Sequence, residues 1–99
     1  MFSQSEENYL KAIYHLSAIS EKGISTNSIA EKLETKASSV TDMIKKLSEK
    51  KVVIYKKYHG VHLTKEGSRI AANVIRKHRL WEVFLVDKLN FSWDEVHDV

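Results

Sequence analysis

From Ser25 to Thr64 the chain reads STNSIAEKLETKASSVTDMIKKLSEKKVVIYKKYHGVHLT, and its apolar spacing changes from helical to alternating within that span. Ser25 is placed to cap a first helix, Thr26 to Leu33, that turns Ile29, Ala30 and Leu33 inward. Glu34 to Lys36 form a turn. A second helix runs from Ala37 to Lys50, with Val40, Met43, Ile44 and Leu47 on its buried face and Ser38, Ser39, Asp42, Lys45 and Lys46 outside it. Val52 to Lys57 is rich in β-branched and aromatic residues, Val61 to Leu63 alternates, and His59-Gly60 between them predicts a hairpin turn. Two short helices, a tight turn and a hairpin with a basic tip make a winged helix-turn-helix. That device lays one helix in the DNA major groove and a ribbon beside it.

The flanking segments are helical. Ser5 to about Ser20 carries an apolar stripe of Tyr9, Leu10, Ile13, Tyr14 and Leu16, and Ser5 with Asn8 resembles a capping box whose acid is replaced. Thr64 caps a long helix to about Leu89, with Ile70, Ala71, Val74, Leu80, Phe84 and Leu85 as its core candidates. Ser92 and Glu95 form a capping box for a last helix that has hardly begun at Val99, so a fragment of a longer protein is expected. The fold class expected is mainly α with a small β-hairpin. Residues 1–72 would be the winged helix-turn-helix, and residues 73–99 the start of a helical metal-binding and dimerisation domain.

Composition removes other classes. Ninety-nine residues suit one domain, or one and a fragment. No apolar run approaches the ~20 residues of a bilayer span, and MFSQSEEN is no signal peptide. Absence of cysteine excludes disulfides and thiolate metal sites and fits a reducing interior, so a cytoplasmic location, bacterial or archaeal, is expected. No phosphate loop, nucleophile elbow or nucleophile–base pairing is visible, so the chain is not expected to be an enzyme.

The formal net charge is only +3, but its distribution is uneven. Between Lys36 and Gly60, seven lysines face two carboxylates, Asp42 and Glu49, which places the basic excess in the DNA-contacting half. A groove-reading helix needs small polar residues at its start, where backbone approaches DNA. Ala37, Ser38, Ser39, Thr41 and Asp42 meet that need, and Asp42 or Lys46 can reach base edges. Ser25, Thr26, Lys36 and Lys45 join this set, with Lys56, Lys57 and His59 on the wing tracking the backbone. A Ser/Lys-rich helix face in isolation is more often simply solvated. The preceding helix, turn and hairpin in register favour DNA, while a winged helix used as a protein-interaction module remains an alternative.

His78 and Glu82 are four residues apart on the long helix and share a face, so both can reach one ion, and His97 can approach from the last helix. Nitrogen and oxygen donors together suit first-row transition metals. Taken alone, such a pair is more often an ion pair or a satisfied histidine, which keeps a metal-independent winged-helix regulator as a second alternative. His15 reads as interfacial, and His59 and His62 as wing residues.

SEENYLKAIYHL, IAEKL, SSVTDMIKKL, YHGVHLTKEG, RKHRLWEVFL and WDEVHDV, in that order, resemble the diphtheria-toxin-repressor family of metal-dependent transcriptional repressors, along essentially the whole chain. The resemblance implies a homodimer that binds palindromic operator DNA when loaded with Fe(II) or Mn(II), controlling metal-uptake genes. It implies a dimer core after Thr64, to which Leu80, Trp81, Phe84, Leu85 and Leu89 would supply apolar surface. It places His78, Glu82 and His97 at the ancillary metal site of the iron-sensing branch and Asn8 at the first-helix ligand of the primary site. Lys11 stands where the manganese-sensing branch supplies a Glu, and a protonated ammonium cannot ligate. The remaining primary ligands lie, in that family, beyond the position of Val99. An Fe(II)-responsive protein is the expectation.

Overall fold

In the computed structural model, which describes residues 2–20 and 22–89, the first helix starts slightly earlier than its sequence suggests. α1 spans Gln4–Ile19, and its cap is Ser3 rather than Ser5. The Ser3 hydroxyl accepts the Glu6 N–H (3.1 Å), and the Glu6 carboxylate accepts the Ser3 N–H (2.8 Å), a complete capping box. Glu6 thereby supplies the acid that Asn8 cannot.

The helix-turn-helix follows the expected bounds. α2 spans Thr26–Leu33 with Ser25 as its cap, and α3 spans Ala37–Glu49. The turn between them is set by Glu34 in the left-handed region (φ 53°). Its N–H bonds the Glu31 carbonyl and the Thr35 N–H bonds that of Ala30, closing α2 as a Schellman motif. α3 ends the same way at Lys51 (φ 62°), with Lys51 N–H to Ser48 and Val52 N–H to Leu47.

The wing is an antiparallel pair, β1 (Val53–Lys56) and β2 (Gly60–Leu63), in the register Val53 with Leu63 and Tyr55 with Val61. The turn begins earlier than His59-Gly60. Lys56 to His59 form it, closed by the His59 N–H on the Lys56 carbonyl (2.9 Å), with Tyr58 left-handed (φ 70°). Ile24 bridges to Val61 from the other side through bonds of 2.9 and 2.8 Å, so β2 is flanked on both edges there.

α4 spans Lys65–Leu89. The Thr64 hydroxyl accepts the Gly67 N–H and donates to the Lys51 carbonyl, tying the start of α4 to the end of α3. At Gly67 a Cβ would lie 1.9 Å from the Val52 carbonyl oxygen, so only glycine permits this approach.

One core joins these elements. Leu10 and Ile13 of α1, Ile29 of α2, Val40 and Leu47 of α3, and Val61 of the wing are fully enclosed, each worth about 1.5–3 kcal/mol of burial. Ala71 joins from α4, with Ile70 and Met43 partly covered against it, and Val74 is buried farther along, outside that cluster. Farther along α4 the expectation fails: Leu80 and Phe84 are 62% and 44% exposed, and only Leu85 is buried. The last helix expected after Ser92, and the side chain of Leu89, lie outside the described residues.

Candidate nucleic-acid interface

α3 buries Val40, Ile44 and Leu47, and that decides what its opposite side offers. Lys36, Ala37, Ser38, Ser39, Thr41, Asp42, Lys45 and Lys46 are all exposed. The Thr41 hydroxyl is already committed, donating to the Ala37 carbonyl (3.1 Å). The start of α3 differs from the starts of α1, α2 and α4. Those carry a side-chain cap, whereas Lys36 at the head of α3 supplies none. First-turn N–H groups of α3 therefore remain available to phosphate oxygens, flanked by the Ser38 and Ser39 hydroxyls.

Ser25 is exposed and Thr26 partly so. The Ser25 hydroxyl accepts the Ser28 N–H and pairs with the Ser28 hydroxyl (2.8 Å), so its first duty is to hold α2 in place. On the wing, Lys56, Lys57 and His59 are exposed. Tyr58, which the charge pattern overlooks, stands at the tip 91% exposed, with the Lys57 ammonium 5.4 Å from its ring centre. A positive-φ tyrosine at a hairpin tip has no sequence signature comparable to Asn-Gly.

The candidate metal ligands lie where α1 packs on α4. His78 and Glu82 sit one turn apart on α4, both partly buried. Asn8 is exposed on α1, and its amide oxygen accepts from the Gln4 side chain (3.4 Å). Beside Asn8, Glu7 reaches across to pair with Lys77 (3.2 Å), the residue before His78. Burial first, and the Lys11 ammonium next, push the His78 imidazolium below its ordinary range, so the neutral, ligating form persists to lower pH. Among the described residues no three His, Cys, Asp or Glu side chains converge closely enough to hold an ion. One imidazole and one carboxylate on α4 are donors of the right type for Fe(II) or Mn(II) but only part of a coordination shell, and Asn8 offers an exposed amide on α1. His97, the third expected member, lies outside the described residues. His15 is exposed and edge-on to Tyr14, with rings 6.3 Å apart.

Sequence reasoning missed Glu7 and Lys77, because nothing in spacing pairs residues 70 positions apart. It placed Leu80, Trp81, Phe84 and Leu85 together. The structure exposes the first three, stacks Trp81 on Phe84 (5.3 Å between centres) and turns Leu85 inward.

Comparison with known proteins adds independent findings. Residues 1–61 match the model of the iron dependent repressor N-terminal DNA binding domain, and residues 64–99 that of the iron dependent repressor metal binding and dimerisation domain. The HTH-type transcriptional regulator MntR of Bacillus velezensis is 42% identical over 86 residues, covering 86% of this chain and 59% of that protein. The same figures hold for MntR of Bacillus subtilis. Among solved structures, the manganese regulator SloR superposes with a TM-score of 0.81 at 45% identity, over 94% of this chain and 43% of that one. A manganese-dependent transcriptional repressor in complex with manganese gives 0.82 at 40% identity, over 94% and 42%. The chain spans about three fifths of the length of the curated relatives it matches.

Proposed function

This chain belongs to the iron-dependent repressor family, and from that premise we propose that it is the DNA-reading and switch-bearing part of a metal-dependent transcriptional repressor. In this reading a homodimer binds palindromic operator DNA when loaded with Fe(II) or Mn(II) and controls metal-uptake genes. The observation that carries it is α3: an uncapped N-terminus, an exposed Ser/Lys face with a single acid, and the basic wing alongside. Residues 1–72 act as the DNA-binding unit, and residues 73–99 begin the metal-binding and dimerisation unit. α4 runs unbroken through that boundary.

Ser38 and Ser39 hold phosphate at the start of α3, Lys45 and Lys46 sit over the groove, and Lys56, Lys57 and His59 track the backbone. His78 and Glu82, with His97, would hold an ion at the ancillary site and Asn8 would contribute to the primary site, where a bound ion supplies positive charge beside α1 and α4. Lys11 occupies a carboxylate's place there, so this half-site takes one ion rather than a close pair. Because α1 packs in the DNA unit and α4 leads to the dimer, a fixed α1–α4 relation fixes the spacing of two reading helices, about 34 Å for successive major grooves. By linkage, operator DNA tightens metal binding. The reading assigns no catalytic role to any side chain, and its place is the cytoplasm, among DNA. No helix of the described residues is long and apolar enough to cross a membrane.

The test is operator affinity of the full-length protein in chelator-treated buffer, with and without each metal at matched free concentration. Metal should raise affinity, and His78→Ala should abolish the gain without unfolding the domain. Affinity indifferent to both metals rejects the switch. The manganese regulators among its relatives point to Mn(II), and the imidazole donors and Lys11 point to Fe(II). Whichever activates at lower free concentration is the assignment. Lys46→Ala should also flatten the salt dependence, by about 0.9 in log–log slope for each phosphate no longer neutralised.

A further inference from the structure

Residues 50–52, just past α3, gather contacts from three elements. The Lys50 ammonium donates to the carboxylate of Glu6 on α1 (2.6 Å) and lies 4.9 Å from the centre of the Phe2 ring. The Lys51 carbonyl accepts the Thr64 hydroxyl (2.9 Å), and the Val52 carbonyl accepts the Thr64 N–H (3.1 Å), so the head of α4 is fastened at the same place. Gly67 lets the first turn of α4 lie directly on Val52. The wing leaves from here too, since β1 begins at Val53.

α1 closes a frame around this junction. Glu6 and Glu7 are neighbours in sequence and about 100° apart around the helix. Glu6 therefore reaches the end of α3 while Glu7 reaches Lys77 of α4 (3.2 Å). Glu7–Lys77 joins α1 to α4, Thr64 joins α4 to the junction, and Glu6–Lys50 joins the junction back to α1. The two ion pairs are unequal. Lys77 is largely exposed, so water screens its pair. The Glu6 carboxylate is enclosed, and its second oxygen takes the Ser3 N–H. Leu10 and Ile13 anchor the middle of α1 in the core, but its first turn lies ahead of them. α1 packs chiefly on α4, α2 and β2, so the Glu6–Lys50 pair ties its first turn directly to the end of α3.

We propose that Glu6 and Lys50 are positioning residues for operator reading, passing the placement of the first turn of α1 to the end of α3 and to the wing. Neither side chain is assigned to an ion or to DNA. Asn8, two positions after Glu6, is where α1 would meet the primary-site ion. With the pair intact, an ion that fixes this turn also fixes the angle at which α3 and the wing leave the junction. With the pair cut, the ion still binds but that angle is no longer set by it. This rests on the metal-switch reading above and names the residues through which the switch acts, outside both sites that it joins.

The experiment uses the full-length protein and a duplex recovered with it from a random-sequence library. Affinity is measured in chelator-treated buffer, without metal and at saturating Mn(II) or Fe(II), whichever gives the wild type the larger gain. The variants are Glu6→Gln, Lys50→Met, the two combined, and Lys50→Arg, with folding checked by thermal unfolding. Lys50→Met and Glu6→Gln should each cut the metal-induced gain in affinity about tenfold. The double variant should lose no more than either single one, because each removes the same pair. Lys50→Arg keeps a cation beside Glu6 and should restore most of the gain. Metal affinity without DNA should stay that of the wild type. Affinity that falls equally with and without metal, leaving the gain intact, would make the pair merely structural and overturn the proposal. Additive losses in the double variant would overturn it as well. If Glu6→Gln does not fold, Lys50→Met and its arginine counterpart decide, since Lys50 is the more exposed partner. A wild type indifferent to both metals would reject the switch reading and this inference with it. A responsive wild type whose variants respond alike rejects this inference alone.

Discussion

Glu6 is buried at 2% exposure, and among the described residues it is the one buried charged side chain. One carboxylate oxygen accepts the Ser3 N–H and the other the Lys50 ammonium (2.6 Å), which itself lies 4.9 Å from the centre of the Phe2 ring. The bond from Lys50, then that from the Ser3 backbone, hold the carboxyl at about 2 against an ordinary 4.5. A carboxyl depressed in the folded state stabilises the fold above pH 4.5 and loses that contribution as pH falls toward 2. Glu6→Ala removes a cap and leaves Lys50 unpaired, so it should cost about 2 kcal/mol at neutral pH and much less near pH 2. Denaturant unfolding of the two proteins across that range measures the convergence, and a constant gap would show that the ionised carboxylate is not the source. Asp42 makes the complementary case on the DNA side. An acid on an otherwise basic face repels phosphate and is useful only near a donor such as cytosine N4. Asp42→Ala should relax base preference at one position per half-site while keeping or raising non-specific affinity. Binding-site selection with the variant checks this, and an identical consensus would count against it.

Two helices end on residues that are poorly suited to the conformation they adopt. Glu34 after α2 and Lys51 after α3 both take left-handed φ in Schellman closures, a place where glycine has no Cβ penalty. Both positions fix angles that matter. Glu34 sets how α3 leaves α2, and Lys51 sets how the wing leaves α3. Glu34→Gly and Lys51→Gly should each raise stability by about 0.5–1 kcal/mol, read from thermal or denaturant unfolding, with the overall fold unchanged. A loss of stability in either would mean that the side chain holds its helix end by a contact stronger than the strain. The missing cap at α3 belongs to the same scale: a cap there would compete with phosphate for the first-turn N–H groups.

At the scale of the molecule, α4 is the connecting rod. Its first half closes the core through Ala71 and Ile70, and its second half presents Leu80, Trp81, Val83 and Phe84 to solvent, with Trp81 and Phe84 stacked. Exposed apolar side chains of this kind suit an interface, and under the proposed function a second copy of the chain would cover them. Leu85 does not contribute, being buried within the chain. Trp81→Ala in the full-length protein should weaken dimerisation by about 2 kcal/mol, roughly thirtyfold, without lowering the stability of the winged unit. Sedimentation at micromolar concentration tests it. A full-length protein that is monomeric with and without metal would remove the interface.

Order of elements, the bounds of α2 and the exposed face of α3 were legible in the sequence because they depend on local physics. Caps at Ser25 and Thr64, the three-to-four spacing of Val40, Ile44 and Leu47, and alternation around Val61 each act within a few residues. That His78 and Glu82 share a face of α4 was legible for the same reason, since four residues on a helix return to one face. Only tertiary structure decided what those faces meet. Lys50 finds Glu6 across 44 residues and Lys77 finds Glu7 across 70. Ile24 seals β2, a bridge that no motif announces. Leu80 and Phe84 carry the same apolar signal as Ala71 and Val74, yet end up exposed, because a periodic pattern says which residues share a face and not whether this chain has anything left to cover it.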